Sequence, residues 1–170
     1  MSATKALVSV EEYLHTVYQP DCDYVDGEVL ERNMAEGDHA RLQTKLSSYL
    51  FLREKQWNIT VLTEMRVQVK PERFRIPDIC VALGNEYEQI LTKPPFLCVE
   101  ILSPDDRWSR VEARINDFLA MGVQFVWVLD YQNKQAFTAT PAEGCAKLKT
   151  ECLGQITRHS KFLSASSSLE

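Results

Sequence analysis

The sequence has no apolar run near the roughly 18 residues that a membrane-crossing helix needs, so no membrane span is expected. No apolar segment follows the short polar opening Met1–Lys5. No signal peptide is therefore read, and a cytoplasmic location is expected. A Cys-x-x-Cys pair is also missing. The five cysteines, Cys22, Cys80, Cys98, Cys145 and Cys152, are odd in number. His15, His39 and His159 lack ligand spacing relative to them, which argues against a zinc site. Cys80 and Cys98 lie inside apolar, strand-like runs and read as small buried hydrophobes. Nor is there an excess of positive charge: 19 Lys and Arg face 24 Asp and Glu, a net charge of −5. Proteins that coat nucleic acid are usually basic, so that class is disfavoured. A nuclease escapes the argument, because carboxylates that hold metal lower the sum while a local cleft stays basic.

What is present fits one domain with one sizeable core, since 170 residues with 45% hydrophobic content is ordinary for a globular chain. We read a single domain over residues 1–160. The small polar residues near the end make 161–170 an expected disordered tail. Val8–Val17 reads as a short helix with Ser9 as N-cap and Glu12 as its capping-box partner. Asp26-Gly27 is a tight hairpin signal between strands Cys22–Val25 and Glu28–Arg32. Asp38–Lys55 repeats Leu42, Leu46, Tyr49, Leu50 and Arg53 at helical spacing, with Asp38 as the expected cap. "ITVLTEMRVQVK" and "RIPDICVAL" are strand-like, and "FLCVEILS" is the continuous apolar run of a strand buried on both faces. "SPDDRWSRVEARINDFLAMGV" reads as a helix with Val111, Ile115, Phe118 and Leu119 on one face, ended by Gly122. "QFVWVLDYQ", "NKQAFTATPAE" and "CAKLKTECL" supply further strands. Helix, hairpin, helix, strands, helix, strands describes a mixed α/β or α+β domain around a central sheet.

Two acids break the apolar pattern. Asp78 follows Pro77, which marks the entry to a strand, where an Asp is often only a turn or cap residue. Glu100 has Val99 and Ile101 as neighbours, and a glutamate is almost never fully buried unless paired or bound to metal. A salt bridge to Arg107 or Arg114 is the structural alternative. Two strands joined by a loop can lie side by side, bringing both acids to one end. Convergent carboxylates repel unless a proton or cation intervenes, and a hard divalent ion is the natural resolution. Such an ion activates water and stabilises charge in phosphodiester cleavage.

Asp78 after proline, then Glu100 in an apolar strand, resembles the PD-(D/E)XK nuclease signature. The runs "DYVDGEVLE", "HARLQTKL", "RIPDICV", "PPFLCVEILSPDDR" and "FLAMGVQFVWVLD" are similar, in order, to the Uma-type family of restriction endonucleases, from about Val8 to Thr140. The resemblance implies a restriction-endonuclease-like core, a central mixed sheet flanked by helices. It also implies Mg²⁺ or Mn²⁺ held by Asp78 and Glu100, DNA as substrate, and a homodimer. The signature's lysine two residues after the acid is replaced by Leu102. In the displaced lysine position the family match puts Arg114, expected to neutralise charge. Arginine cannot serve as a general base. Asp23 stands where the family has Glu, and Glu64 and His39 also match family positions. These three are auxiliary candidates. Arg107, Trp108 and Arg110, aromatic interleaved with basic, are candidate DNA-contacting residues. The alternative to a metal-dependent endonuclease is a binding or interaction protein on the same fold whose catalytic site has decayed.

Overall fold

The computed structural model describes residues 7–33, 36–143 and 149–152. The expected tail, Cys145 and His159 lie outside these residues. The chain runs α1 (Val10–His15), β1 (Cys22–Val25), β2 (Glu28–Glu31), α2 (Gly37–Phe51), α3 (Glu54–Trp57), β3 (Ile59–Thr63), β4 (Val67–Lys70), β5 (Arg73–Arg75), β6 (Ile79–Leu83), β7 (Leu97–Ile101), α4 (Trp108–Met121), β8 (Phe125–Asp130), β9 (Gln135–Ala139) and β10 (Lys149–Cys152). The central six-stranded sheet has the order β10-β9-β8-β7-β6-β3. It is mixed: β7 and β8 are parallel, joined through α4, and the other pairs are antiparallel. A second, four-stranded sheet, β2-β1-β5-β4, was not anticipated.

The local signals explain most boundaries. Ser9 Oγ accepts from Glu12 N at 3.1 Å and starts α1. Asp26 and Gly27 both take positive φ, 50° and 94°, as the tight turn of a two-residue hairpin requires. Gly122 ends α4 at φ 109°, a left-handed position that favours glycine. Three expectations need correction. Asp38 does not cap α2: Glu36 holds the N-cap position without a side-chain bond, and Asp38 lies in the first turn, where a carboxylate suits the helix dipole. The strand-like run from Ile59 to Lys70 is two strands in different sheets, broken at Glu64 with φ 51°. Finally, α4 begins at Trp108 because Pro104 and Asp106 build a turn first. In that turn Asp106 Oδ2 accepts from Ser103 N at 2.7 Å.

Strand parity sorts the core. On β6 and β7, Ile79, Val81, Leu97, Val99 and Ile101 face the layer of α2 and α3, where Leu46, Leu50 and Trp57 cover them. Cys80 and Cys98 point the other way, against Val111, Ile115 and Phe118 of α4. Both cysteines are fully buried free thiols, as read from the sequence. A third cluster of Tyr13, Tyr24 and Phe74 fastens α1 to the small sheet, with Tyr13 Oη donating to Cys22 O at 2.8 Å. Among the described residues no helix is long and apolar enough to cross a membrane.

Candidate active site

The pairing of β6 with β7 sets Ile79 opposite Val99 and Cys80 opposite Cys98. One step further along this antiparallel register, Asp78 falls opposite Glu100. Asp78 immediately precedes β6 and Glu100 lies on β7, so the register carries both acids to the same end of the strand pair. The two acids are therefore neighbours by construction. They line one small polar cleft of about 20 Å³ with Arg32, Asn33, His39, Ile101, Ser103, Asp106 and Arg114. That volume suits roughly one water or one small ion.

Asp78 is 3% exposed and its carboxylate is well bound. Oδ1 accepts from Arg32 Nη2 at 2.5 Å, Oδ2 accepts from Ile101 N at 2.6 Å, and His39 Nε2 lies 3.4 Å from Oδ2. Its own carbonyl accepts from Gln43 Nε2 and from Glu64 N. Burial opposes its ionisation, but the bond to His39, the charge of Arg32 and the Ile101 N–H outweigh burial, and its pKa lies below the ordinary value. His39 is the reciprocal case. Burial disfavours the imidazolium, yet Asp78 raises its pKa above the usual 6.5.

Glu100 is different. It is 1% exposed, and Oε2 lies 3.1 Å from Arg114 Nε. That contact is an ion pair without hydrogen-bond geometry, since Arg114 Nε has no hydrogen-bond partner. Oε1 is buried and without a partner. Burial dominates and pushes the carboxyl up to about 7; Arg114 pulls it down and Asp78 pushes it further up. The salt bridge to Arg114 named as the structural alternative is thus present, but it leaves Glu100 under-satisfied.

These residues fit a divalent ion. The donors are hard carboxylate oxygens, and one of them is a buried orphan on Glu100, a residue that lines the polar cleft. Among the described residues no group of three or more His, Cys, Asp or Glu gathers as a ligand set. Two carboxylates with water and substrate completing the shell is the arrangement Mg²⁺ commonly takes.

The other candidates divide. His39 joins the cleft through Asp78. Asp23 is buried but belongs to a neighbouring network: Oδ2 accepts from Arg75 Nη1 at 2.9 Å and Oδ1 from Ile76 N at 3.1 Å. Arg75 also binds Asp117 Oδ2 through Nε and Nη2 at 2.8 and 2.7 Å. Arg73 adds Asp117 Oδ1 at 2.9 Å and pairs with Asp26. Asp23 thereby acts on the cleft through charge and support, without lining it. The Glu64 side chain is exposed and does not line the cleft, although its N–H holds Asp78 O. Arg107 and Arg110 are exposed on either side of the α4 start. Arg110 reaches a hollow of about 80 Å³ shared with Asp23, Arg32, Arg75 and Arg114. Trp108 packs against Phe137, with ring centroids 5.7 Å apart, and still leaves 44% of its surface exposed. Trp127 is core and Asp130 closes the turn onto Asn133.

Sequence reasoning missed Arg32, Asp106 and the Arg75–Asp117 pair. Asp117 carried a usable signal, a charge flanked by Ile115 and Phe118 on the apolar face of α4. Arg32 carried none, because its partner is 46 residues away on another sheet.

A mixed sheet that delivers an aspartate and a glutamate from adjacent strands into one cleft is the arrangement of a restriction-endonuclease-like nuclease fold. The chain matches the family model described as "Uma2: Putative restriction endonuclease" over residues 10–167. It belongs to that family. Its fold is similar to a crystal structure described as "a putative nuclease belonging to DUF820" from Anabaena variabilis, with a TM-score of 0.74 and 24% sequence identity. The match covers 84% of this chain and 83% of that one. No curated protein matches the chain.

Proposed function

We propose that the protein is a divalent-metal-dependent endonuclease that hydrolyses DNA phosphodiester bonds. The observation that carries this reading is the buried Glu100 carboxylate, raised to about 7 and with one oxygen unpartnered, beside an Asp78 that is held ionised. A core salt bridge of purely structural purpose gains nothing from an orphan oxygen, which costs about 1–3 kcal/mol. Asp78 and Glu100 would hold Mg²⁺ or Mn²⁺. Such an ion, when bound, supplies a water of lowered pKa and neutralises charge on the phosphate.

The chain's own residues do the rest. The Ile101 N–H and His39 fix the Asp78 carboxylate in place. Arg114, 12% exposed at its side chain, lines the cleft as a permanent cation and stabilises negative charge that grows on the phosphate. It takes no proton from water, so it is not the general base. Arg107, Trp108 and Arg110 present an exposed surface at the α4 start that suits the DNA backbone and an unstacked base. A homodimer, implied by the family resemblance, belongs to the same proposal.

Incubating plasmid and single-stranded DNA with Mn²⁺ tests the reading. Cleavage by the wild type that disappears in Glu100→Ala and Asp78→Asn supports it; cleavage that survives both changes overturns it. The second reading, a decayed nuclease that binds DNA or protein without cutting, is favoured by Arg114 in the lysine position. Wild type that is silent, with Arg114→Lys gaining cleavage, would assign the chain to that class.

A further inference from the structure

Arg32 occupies the carboxylate oxygen that an arriving cation must compete for. It follows the β1–β2 hairpin and crosses from the small sheet to Asp78 at the start of β6 in the large one. A guanidinium has five N–H donors. Among the described residues, the bond from Nη2 to Asp78 Oδ1 is its one hydrogen bond, so most of the fork lies along the cleft uncommitted. Asp78 Oδ2 is already taken by Ile101 N and faced by His39. Oδ1 is therefore the open coordination position of that carboxylate, and Arg32 sits on it.

The backbone around Arg32 is held on both sides. Glu31 is in register with Cys22, and Asn33 Nδ2 donates to Asp106 Oδ1 at 3.1 Å. Release of Asp78 thus needs only a rotamer change of a long side chain. Charge balance favours such a change. The cleft gathers three carboxyl groups, Asp78, Glu100 and Asp106, against two guanidiniums, Arg32 and Arg114. A divalent ion taking the place of Arg32 on Asp78 would add positive charge there, which a phosphodiester offsets. The freed guanidinium would then be a planar donor fork facing an anion whose oxygens it fits bidentately.

The geometry points to Arg32 as an exchangeable counter-ion, which holds Asp78 while no divalent ion is bound and turns to a DNA phosphate when an ion takes that carboxylate. The inference rests on the metal-site reading above and adds to it a residue that both restrains ion binding and contacts the substrate.

Calorimetric titration of Mn²⁺ into wild type, Arg32→Gln, Arg32→Lys and Asp78→Asn provides the first arm. Arg32→Gln is expected to bind Mn²⁺ about tenfold more tightly than wild type, as loss of a competing charge at contact distance implies. Arg32→Lys, which keeps the charge without the fork and guards against a folding defect in Arg32→Gln, should fall between them. The second arm measures binding of a short DNA duplex by anisotropy, in Ca²⁺ across a salt series. There Arg32→Gln should lower the slope of log affinity against log salt by about one. Wild type that binds Mn²⁺ while both Arg32 variants bind it no more tightly would overturn the inference and leave the metal site standing. An unchanged salt slope would also overturn it. Absence of Mn²⁺ binding in all four proteins would remove the metal-site reading itself, and the exchange with it.

Discussion

Glu100 should make the protein less stable as pH rises through neutrality, and Glu100→Gln should remove that contribution. In the folded protein burial raises the carboxyl from its ordinary 4.5 to about 7. The unfolded chain therefore releases this proton first, and between the two values the folded state holds more protons. Stability falls wherever the folded state binds more protons than the unfolded state as pH increases. The contribution is fully present below about 4.5 and is lost as pH climbs through about 7. Its size is about 3 kcal/mol, at about 1.4 kcal/mol per tenfold change in proton affinity. Two neighbours also titrate. His39, with a raised pKa, adds stability present below 6.5 and lost on raising pH through its folded value. Asp78, with a lowered pKa, adds stability present above 3.8 and lost on acidification. Subtracting the variant isolates Glu100. Urea unfolding from pH 4.5 to 8, in chelator, should show wild type losing about 3 kcal/mol relative to Glu100→Gln over that interval. Parallel profiles would refute the reasoning, since they would mean that Glu100 is ionised in the fold at no cost and needs no cation.

Other outcomes are expected from the same geometry. Asp78→Ala should destabilise the ion-free protein by about 3 kcal/mol in urea unfolding, because Arg32, His39 and the Ile101 N–H lose their common acceptor. Asp117→Ala should cost about 3 kcal/mol by the same measure, since the buried Arg75 and the half-buried Arg73 both lose an acceptor and keep only Asp23 and Asp26. Gly122→Ala should lower stability by about 1 kcal/mol or more in thermal melts, through its left-handed φ rather than through crowding, the nearest atom being Pro94 Cγ at 3.6 Å. Replacing Arg107 and Arg110 together by Ala should reduce the salt slope of DNA binding by about two with little change in stability.

Much of the fold was legible because its signals are local. The hairpin turn, the apolar run of β7 and the glycine stop of α4 each depend on a few adjacent residues. The acids at 78 and 100 were legible because a charge in an apolar strand violates a simple rule. The second sheet was not, because a chain passing from β3 to β4 keeps the same strand-like composition while it changes partners. Only Glu64, in a left-handed conformation, marks the break, and glutamate gives no warning of it. The start of α4 was read too early because Pro104 and the acids after it suit a first helical turn as well as the Ser103–Asp106 turn that forms. Arg32 and the Arg75 network were invisible for a different reason. Their partners lie 42 to 52 residues away, and pairing across that distance leaves no periodic trace.

The Asp23–Arg75–Asp117 network has a mechanical consequence. Arg75 on β5 grips Asp23 on the hairpin with one hand and Asp117 on α4 with the other. The hairpin also carries Arg32, and α4 carries Arg114 one helical turn before Asp117. The network therefore acts as a strut between the two elements that bear the cleft's guanidiniums. It sets the gauge of the opening before any ligand arrives, so the side chains can swing while the frame that carries them keeps its span.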